Sequence, residues 1–218
     1  MTSFYRLNKI VIGGVFRLYF GIRAEGQEEI PREGPVILAA NHSSYLDPIV
    51  VGLLSPREIT AIAKEELWSY WFLRWWLDNI KAKPIRRGRG DKGSLRAALE
   101  VLGHGKALLL FPEGTRSRDG TIGSMKAGVG LLARRSRAPV VPTYVSGTFL
   151  ALPRDRIIPR PYRVEVRFGP PLSAEAIEQL PCDRSGFDWI TDYVQQTIRR
   201  MAEEKEGKHF AAPRVTKT

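Results

Sequence analysis

Four short apolar runs, at 35–40, 59–63, 107–111 and 140–145, punctuate this chain, and most are followed by residues at helical spacing. Strands that alternate with helices lie side by side in one direction, because each helix carries the chain back across the sheet. The pattern predicts an α/β fold: a single domain with a largely parallel central sheet flanked by helices. With 218 residues and 43% hydrophobic content, the chain is long enough to bury one such core.

The intervening segments fill in the outline. Asp91 is placed to cap a helix whose Leu95, Leu99 and Leu102 share a face, with Gly103 and Gly105 marking its end. Val164, Val166 and Phe168 alternate as a later edge strand, and Phe187, Ile190, Val194, Ile198 and Met201 give a last amphipathic helix from Ser185. At the other end Phe4, Leu7, Val11, Val15, Leu18 and Ile22 recur at three- and four-residue steps, with Arg6, Lys9 and Arg17 on the opposite side. This N-terminal amphipathic helix either packs on the domain or lies in a lipid interface with its basic residues among headgroups. Arg17 interrupts the stretch well short of the roughly 20 residues that span a bilayer, and no small-residue cleavage site follows, so neither a transmembrane helix nor a signal peptide is expected. The expected organisation is a helix over 1–24, a main domain over 25–202 and a polar, disordered tail over 203–218.

A formal net charge of +11 speaks to partners rather than fold, since such a surface attracts nucleic acids, anionic lipids or small phosphorylated substrates. The single cysteine, Cys182, excludes an intramolecular disulfide and suits a reducing compartment. The three histidines have no metal-ligand spacing, and His104 and His209 read as surface residues.

Asn41-His42 directly follows the first run, so its imidazole should stand at a strand's carboxyl end, where open α/β sheets place their ligands. Asp47 is five residues on, which no regular helix places on the same face, and a turn through Ser43 and Ser44 would be needed to bring it to His42. Were they to meet, the carboxylate would set the tautomer of His42 and stabilise the imidazolium formed as it accepts a proton. Alternatively, Asp47-Pro48 is only a helix start, with Asp47 as its cap.

A second constellation, Phe111-Pro112-Glu113-Gly114-Thr115-Arg116-Ser117, follows another run, and its proline and glycine preclude a helix there. Arg116 offers a planar fork of donors for phosphate, Gly114 admits close backbone approach, and Glu113 could hold a hydroxyl or orient the arginine. Lys81, Lys83, Arg86, Arg87 and Arg89 crowd near the expected end of a further strand, as a solvated face or as part of a phosphate pocket. Trp68, Trp71, Phe72, Trp75 and Trp76 share one helical face, which suits a lipid-dipping anchor, an acyl-chain path or an aromatic core face.

Asn41-His42-Ser43-Ser44-Tyr45-Leu46-Asp47 and the Phe111 to Ser117 block, in that order, resemble the NHxxxxD and FPEGTRS blocks of the PlsC-like glycerolipid acyltransferases. Ile85-Arg86-Arg87-Gly88 is similar to the family's intervening arginine block, and Ala138-Pro139-Val140-Val141-Pro142 to its fourth. The resemblance spans roughly residues 30 to 168. It implies that His42 is the general base, that Asp47 orients it, and that Arg87, Glu113, Gly114, Thr115 and Arg116 bind the acceptor's glycerol phosphate, with Lys64 and Lys126 as further phosphate ligands. Many relatives carry an acidic residue before the block's arginine, where this chain has Arg86 beside Arg87.

The implied reaction moves a fatty acyl group from acyl-CoA or acyl-carrier protein to the sn-2 hydroxyl of 1-acylglycerol-3-phosphate, giving phosphatidic acid, with no metal and no cofactor beyond the thioester co-substrate. Another lyso-lipid or glycerol-3-phosphate is the alternative acceptor. A peripheral or monotopic position on an anionic membrane surface, at the cytoplasmic face of the cell membrane, goes with it. A serine hydrolase would need a GxSxG elbow, which is absent. A non-catalytic basic module binding membrane or nucleic acid fits the charge but lacks a recognisable nucleic-acid motif, and no nucleic-acid partner is expected.

Overall fold

The four apolar runs form the middle of a seven-stranded sheet in a computed structural model that describes residues 3–64, 83–85, 92–205 and 207. In chain order the strands are β1 (Arg23–Glu25), β2 (Val36–Ala40), β3 (Ile59–Lys64), β4 (Lys83–Ile85), β5 (Ala107–Leu110), β6 (Val140–Ser146) and β7 (Glu165–Phe168). Their spatial order is β1-β7-β6-β2-β5-β3-β4, parallel throughout except between β6 and β7. The helices among the described residues are α1 (Ser3–Phe20), α2 (Asp47–Leu54), α3 (Lys92–Gly103), α4 (Gly128–Ser136), α5 (Thr148–Ala151), α6 (Ala174–Glu178) and α7 (Arg184–Lys205).

Every residue of β2 is buried, because helices cover both faces of the sheet. Val36, Leu38 and Ala40 point to the side of α1 and α2, whereas Ile37 and Ala39 point to α3, α4 and α7. On that second side Ala98, Val101 and Leu102 of α3 meet Leu132 of α4 and Ile190, Val194 and Ile198 of α7. Helices α4 and α7 approach so closely that a methyl group on Gly130 would lie 2.0 Å from the Phe187 carbonyl oxygen.

Three expectations need revision. The strand at 165–168 is not an edge: β1 covers it on its outer side, in register from Arg23↔Glu165 to Glu25↔Arg167. Its Arg-Ala-Glu sequence carries no apolar alternation, and the boundary expected at residue 24 falls inside it. The last helix runs on to Lys205, into the expected tail, where the Lys205 ammonium reaches Glu165 at 2.6 Å. Asp91, the aromatic face at 68–76 and the tail beyond 207 lie outside the described residues.

The N-terminal helix packs on the domain along one face and leaves a second apolar face exposed. Its residues Ile12, Phe16 and Phe20 pack against the α2 side of the core, and the Lys9 ammonium donates to the Ser55 carbonyl. The stripe read from the sequence, at Val11, Val15 and Leu18, instead faces outward, with Leu18 92% exposed. Ile22, counted on that stripe, lies beyond the helix and is buried. The helix is apolar on two sides, and the face that packs, at Ile12, Phe16 and Phe20, is one that the spacing had not singled out. Among the described residues no helix is long and apolar enough to cross a membrane.

Candidate active site

Strands β6, β2 and β5 lie side by side and point the same way, so the segments after Ser146, Ala40 and Leu110 leave the sheet together. The turn from β2 holds His42, the loop from β5 holds Glu113 to Arg116, and the turn from β6 opens α5. A parallel sheet thus gathers residues 70 to 100 positions apart in sequence at one edge.

Asn41 extends the sheet by one rung made of side chain. Its amide nitrogen donates to the Val145 carbonyl at 2.9 Å, and its oxygen accepts from the Val145 amide at 2.7 Å. Both groups are buried, so Asn41→Ala strands a donor and an acceptor that each cost about 1–3 kcal/mol without a partner. The variant is expected to unfold at a clearly lower urea concentration than the parent, with the loss summing to about 2–6 kcal/mol.

The chain then turns through Ser43 and Ser44, and Asp47 meets His42. Asp47 Oδ2 lies 2.8 Å from His42 Nδ1 and also accepts from the amides of Ser43 at 2.7 Å and Ser44 at 2.8 Å. Asp47 is fully buried and is the first residue of α2, with Pro48 in the same turn; it opens the helix and meets His42, but the cap position expected for it belongs to Leu46. Because Oδ2 accepts the Nδ1 proton, Nε2 is left as the basic nitrogen, and the imidazole keeps part of its surface open. Phe111 stacks on the ring with centroids 4.1 Å apart, fixing its plane.

Neither serine of the turn is free to act as a nucleophile. Ser43 Oγ lies 3.2 Å from Thr148 Oγ1, and Ser44 Oγ donates to the Leu152 carbonyl at 2.8 Å; both serines are buried. They brace the turn against α5 and the residue after it.

The Phe111 to Ser117 loop grips the same turn. Ser117 donates its amide to the His42 carbonyl at 2.8 Å, and Glu113 Oε1 accepts the His42 amide at 2.8 Å. Glu113 Oε2 accepts from the Gly123 amide at 3.1 Å, so this carboxylate, which the resemblance gives to the acceptor, ties three backbone segments together. Burial pushes the Glu113 carboxyl above its ordinary value, and the two amides pull it part of the way back. A methyl group on Gly123 would lie 2.9 Å from Oε2, so that contact needs glycine.

The two cations beside the dyad differ in how firmly they are held. The Arg116 guanidinium lies over the Tyr45 ring with its carbon 3.5 Å from the centroid, and its Nη1 is buried with no hydrogen-bond partner among the described residues. Gly114 has φ +71°, and a methyl group there would come within 3.0 Å of Lys126 Nζ, so a glycine leaves the lysine room over the loop. Lys126 is anchored by its amide, which donates to the Pro112 carbonyl at 3.1 Å. Thr115 and Gly114 are exposed. The turn beyond is closed by Asp119, whose carboxyl is held down to about 2 by hydrogen bonds from Thr121 and Ser117.

His42, Asp47, Glu113, Gly114, Arg116 and Lys126 therefore come together. Lys64 ends β3, and its backbone pairs with Ile85. Arg86 and Arg87 lie outside the described residues. Sequence reasoning passed over the bracing roles of Asn41, Phe111 and Gly123; the position of Asn41 next to the end of a strand was the available signal for the first.

A buried carboxylate setting an imidazole at a parallel sheet's edge, with Arg116 over Tyr45 of the same turn and Lys126 at the adjoining loop, defines a site for moving a proton beside an anionic group. The chain belongs to the Acyltransferase family, whose model matches residues 21–146. It is 29% identical to the 1-acyl-sn-glycerol-3-phosphate acyltransferase of Limnanthes douglasii over 87% of this chain and 64% of that protein. The yeast enzyme of the same name, from Saccharomyces cerevisiae, is 32% identical over 91% of this chain and 64% of its own length, and that of Bacillus subtilis 24% over 86% and 91%. The chain thus spans just under two thirds of the plant and yeast relatives. Among solved structures, the 1-acyl-sn-glycerophosphate acyltransferase PlsC of Thermotoga maritima superposes with a TM-score of 0.78 at 27% identity, covering 95% of this chain and 81% of that one.

Proposed function

We propose that this protein transfers a fatty acyl group from an acyl thioester to the free hydroxyl of 1-acylglycerol-3-phosphate, forming phosphatidic acid. The observation that carries the reading is the 2.8 Å contact of His42 Nδ1 with the buried Asp47, in a turn whose Tyr45 lies under Arg116 and whose neighbouring loop meets Lys126 at Gly114. The names of the relatives above support the same acceptor.

In this mechanism His42 Nε2 takes the proton of the acceptor hydroxyl as its oxygen attacks the thioester carbonyl. The tetrahedral intermediate collapses with cleavage of the carbon–sulfur bond, and the imidazolium returns the proton to the departing thiolate. Asp47 stabilises the imidazolium between the two transfers. No acyl-enzyme forms, in keeping with the engaged hydroxyls of Ser43 and Ser44. Arg116 and Lys126 hold the acceptor phosphate, with Lys64 and Arg87 as further ligands, and the reaction calls for no cofactor. Acyl-CoA or acyl-carrier protein supplies the acyl group.

The protein meets its acceptor as a peripheral or monotopic enzyme at an anionic membrane surface on the cytoplasmic face, with the outward stripe of α1 against lipid. The test is a thiol-release assay on pure protein with lysophosphatidate, glycerol-3-phosphate and a neutral lyso-lipid, each with coenzyme A and carrier-protein donors. Release only with phosphate-bearing acceptors is expected, and release without any acceptor would point to hydrolysis. Arg116→Ala should raise KM for lysophosphatidate about tenfold with a smaller change in kcat, as loss of a charge-assisted hydrogen bond requires.

A further inference from the structure

The segment between α5 and β7, residues 152–164, presents Ile157 at 95% and Ile158 at 80% exposure. Two adjacent isoleucines so fully in solvent are not a by-product of a slack loop, because the segment is tied down on both sides of them. Arg156 donates its amide to the Pro153 carbonyl at 3.2 Å, and Arg160 donates its amide to Ala151 at 2.8 Å. Tyr19 at the end of α1 donates its hydroxyl to the Pro159 carbonyl at 3.0 Å, and Val164 donates to Phe20 at 3.1 Å. The isoleucines are held outward by a hydrogen-bonded frame.

That frame joins them to the outward stripe of α1, where Val11, Val15, Leu18 and Tyr19 are exposed. Around the pair stand the exposed arginines 154, 156, 160 and 163, against a single acid, Asp155. Apolar side chains flanked by cations match a leaflet that offers hydrocarbon beneath anionic headgroups.

We propose that the α5–β7 loop is a second lipid-docking element, inserting Ile157 and Ile158 into an anionic bilayer beside α1; the inference rests on the reading that the acceptor is a membrane lipid. Its location gives it a further consequence. The Leu152 carbonyl at the root of the loop accepts the Ser44 hydroxyl, and Thr148 in α5 meets Ser43. The loop is thus braced directly against the turn that holds His42, and docking sets the height of the imidazole above the leaflet.

The test uses the full-length protein and vesicles of phosphatidylcholine with and without phosphatidylglycerol. Ile157→Ser/Ile158→Ser is expected to lower partition into the anionic vesicles by about tenfold or more, whereas Ile157→Leu/Ile158→Leu retains it. Arg154→Gln/Arg156→Gln should weaken binding to the anionic vesicles alone, with the difference vanishing at high salt. Turnover of the double serine variant should fall on vesicle-borne acceptor and stay at the parent value on a short-chain acceptor dissolved as monomer. Unchanged partition of that variant would overturn the proposal, as would an equal loss on the monomeric acceptor. A concentration-dependent dimer that the serine changes dissolve, with vesicle binding intact, would assign the patch to a second copy of the chain instead. If the parent protein turns over no acceptor, the enzymatic reading fails, and vesicle partition still decides the loop.

Discussion

Replacing Asp47 by Asn is expected to lower kcat about 10²–10³-fold with little change in KM, and the direction of the side chain shows why. Oδ2 receives two backbone amides besides His42 Nδ1, so the asparagine must keep its oxygen there; its NH2 group would face two donors. The turn and the tautomer of His42 are therefore retained. What disappears is the negative charge that stabilises the imidazolium in the transition state. The NH2 group falls where Oδ1 now lies, buried and without a hydrogen-bond partner among the described residues, which adds about 1–3 kcal/mol of destabilisation. His42→Ala removes the base itself and should abolish turnover at unchanged fold. Thiol release measured beside circular dichroism separates the two effects, and full release by either variant would remove the dyad from the mechanism.

Glu113 should behave as a positioning residue, and its alanine and glutamine variants should part company. Glu113→Ala frees the His42 and Gly123 amides together, at about 1–3 kcal/mol for each stranded donor. It also releases the backbone that aims the imidazole, and displacement by about 1 Å is enough to cost roughly 10²-fold in rate. Glu113→Gln keeps an oxygen on His42, its closer partner, and turns its NH2 group toward Gly123, so most of the turnover survives. Were Glu113 a ligand of the acceptor, both variants would chiefly raise KM. A pH titration of stability supplies a further readout. Because the folded-state value is raised, the folded protein binds more protons than the unfolded chain just above the ordinary glutamate range. Stability of the parent relative to Glu113→Gln is therefore greatest at low pH and declines as pH rises through the folded-state value.

The sheet was legible because its central strands β2, β5 and β6 are buried along most of their length on both faces, which requires continuous hydrophobic sequence at those places. Strand β1 was not, since Arg-Ala-Glu carries no apolar pattern; it is held by backbone pairing and by the Glu25–Arg167 ion pair at 3.0 Å, neither of which the letters announce. The same distinction divides the site. His42, Asp47 and Arg116 act through side-chain chemistry that survives in the letters. Glu113 and Asn41 bind main-chain groups, and a main-chain partner has no letter; only the fold reveals that Val145, His42 and Gly123 stand opposite them. The packing face of α1 was missed for a third reason, because a helix with apolar residues on two sides offers spacing two equally good answers.

The place of β2 between β5 and β6 governs how the molecule is born as well as how it works. Both neighbours are encoded far downstream, so β2 closes loops of about 70 and 100 residues before its backbone is paired, a topology that folds slowly. The dyad residues themselves are only five positions apart, yet Asn41 has no rung until Val145 has left the ribosome. During synthesis the apolar strand at 36–40 must wait unpaired until β5 at 107–110 is made, which exposes it to aggregation. In refolding, recovery of activity should follow the last sheet-forming phase, so appearance of turnover becomes a clock for completion of the fold.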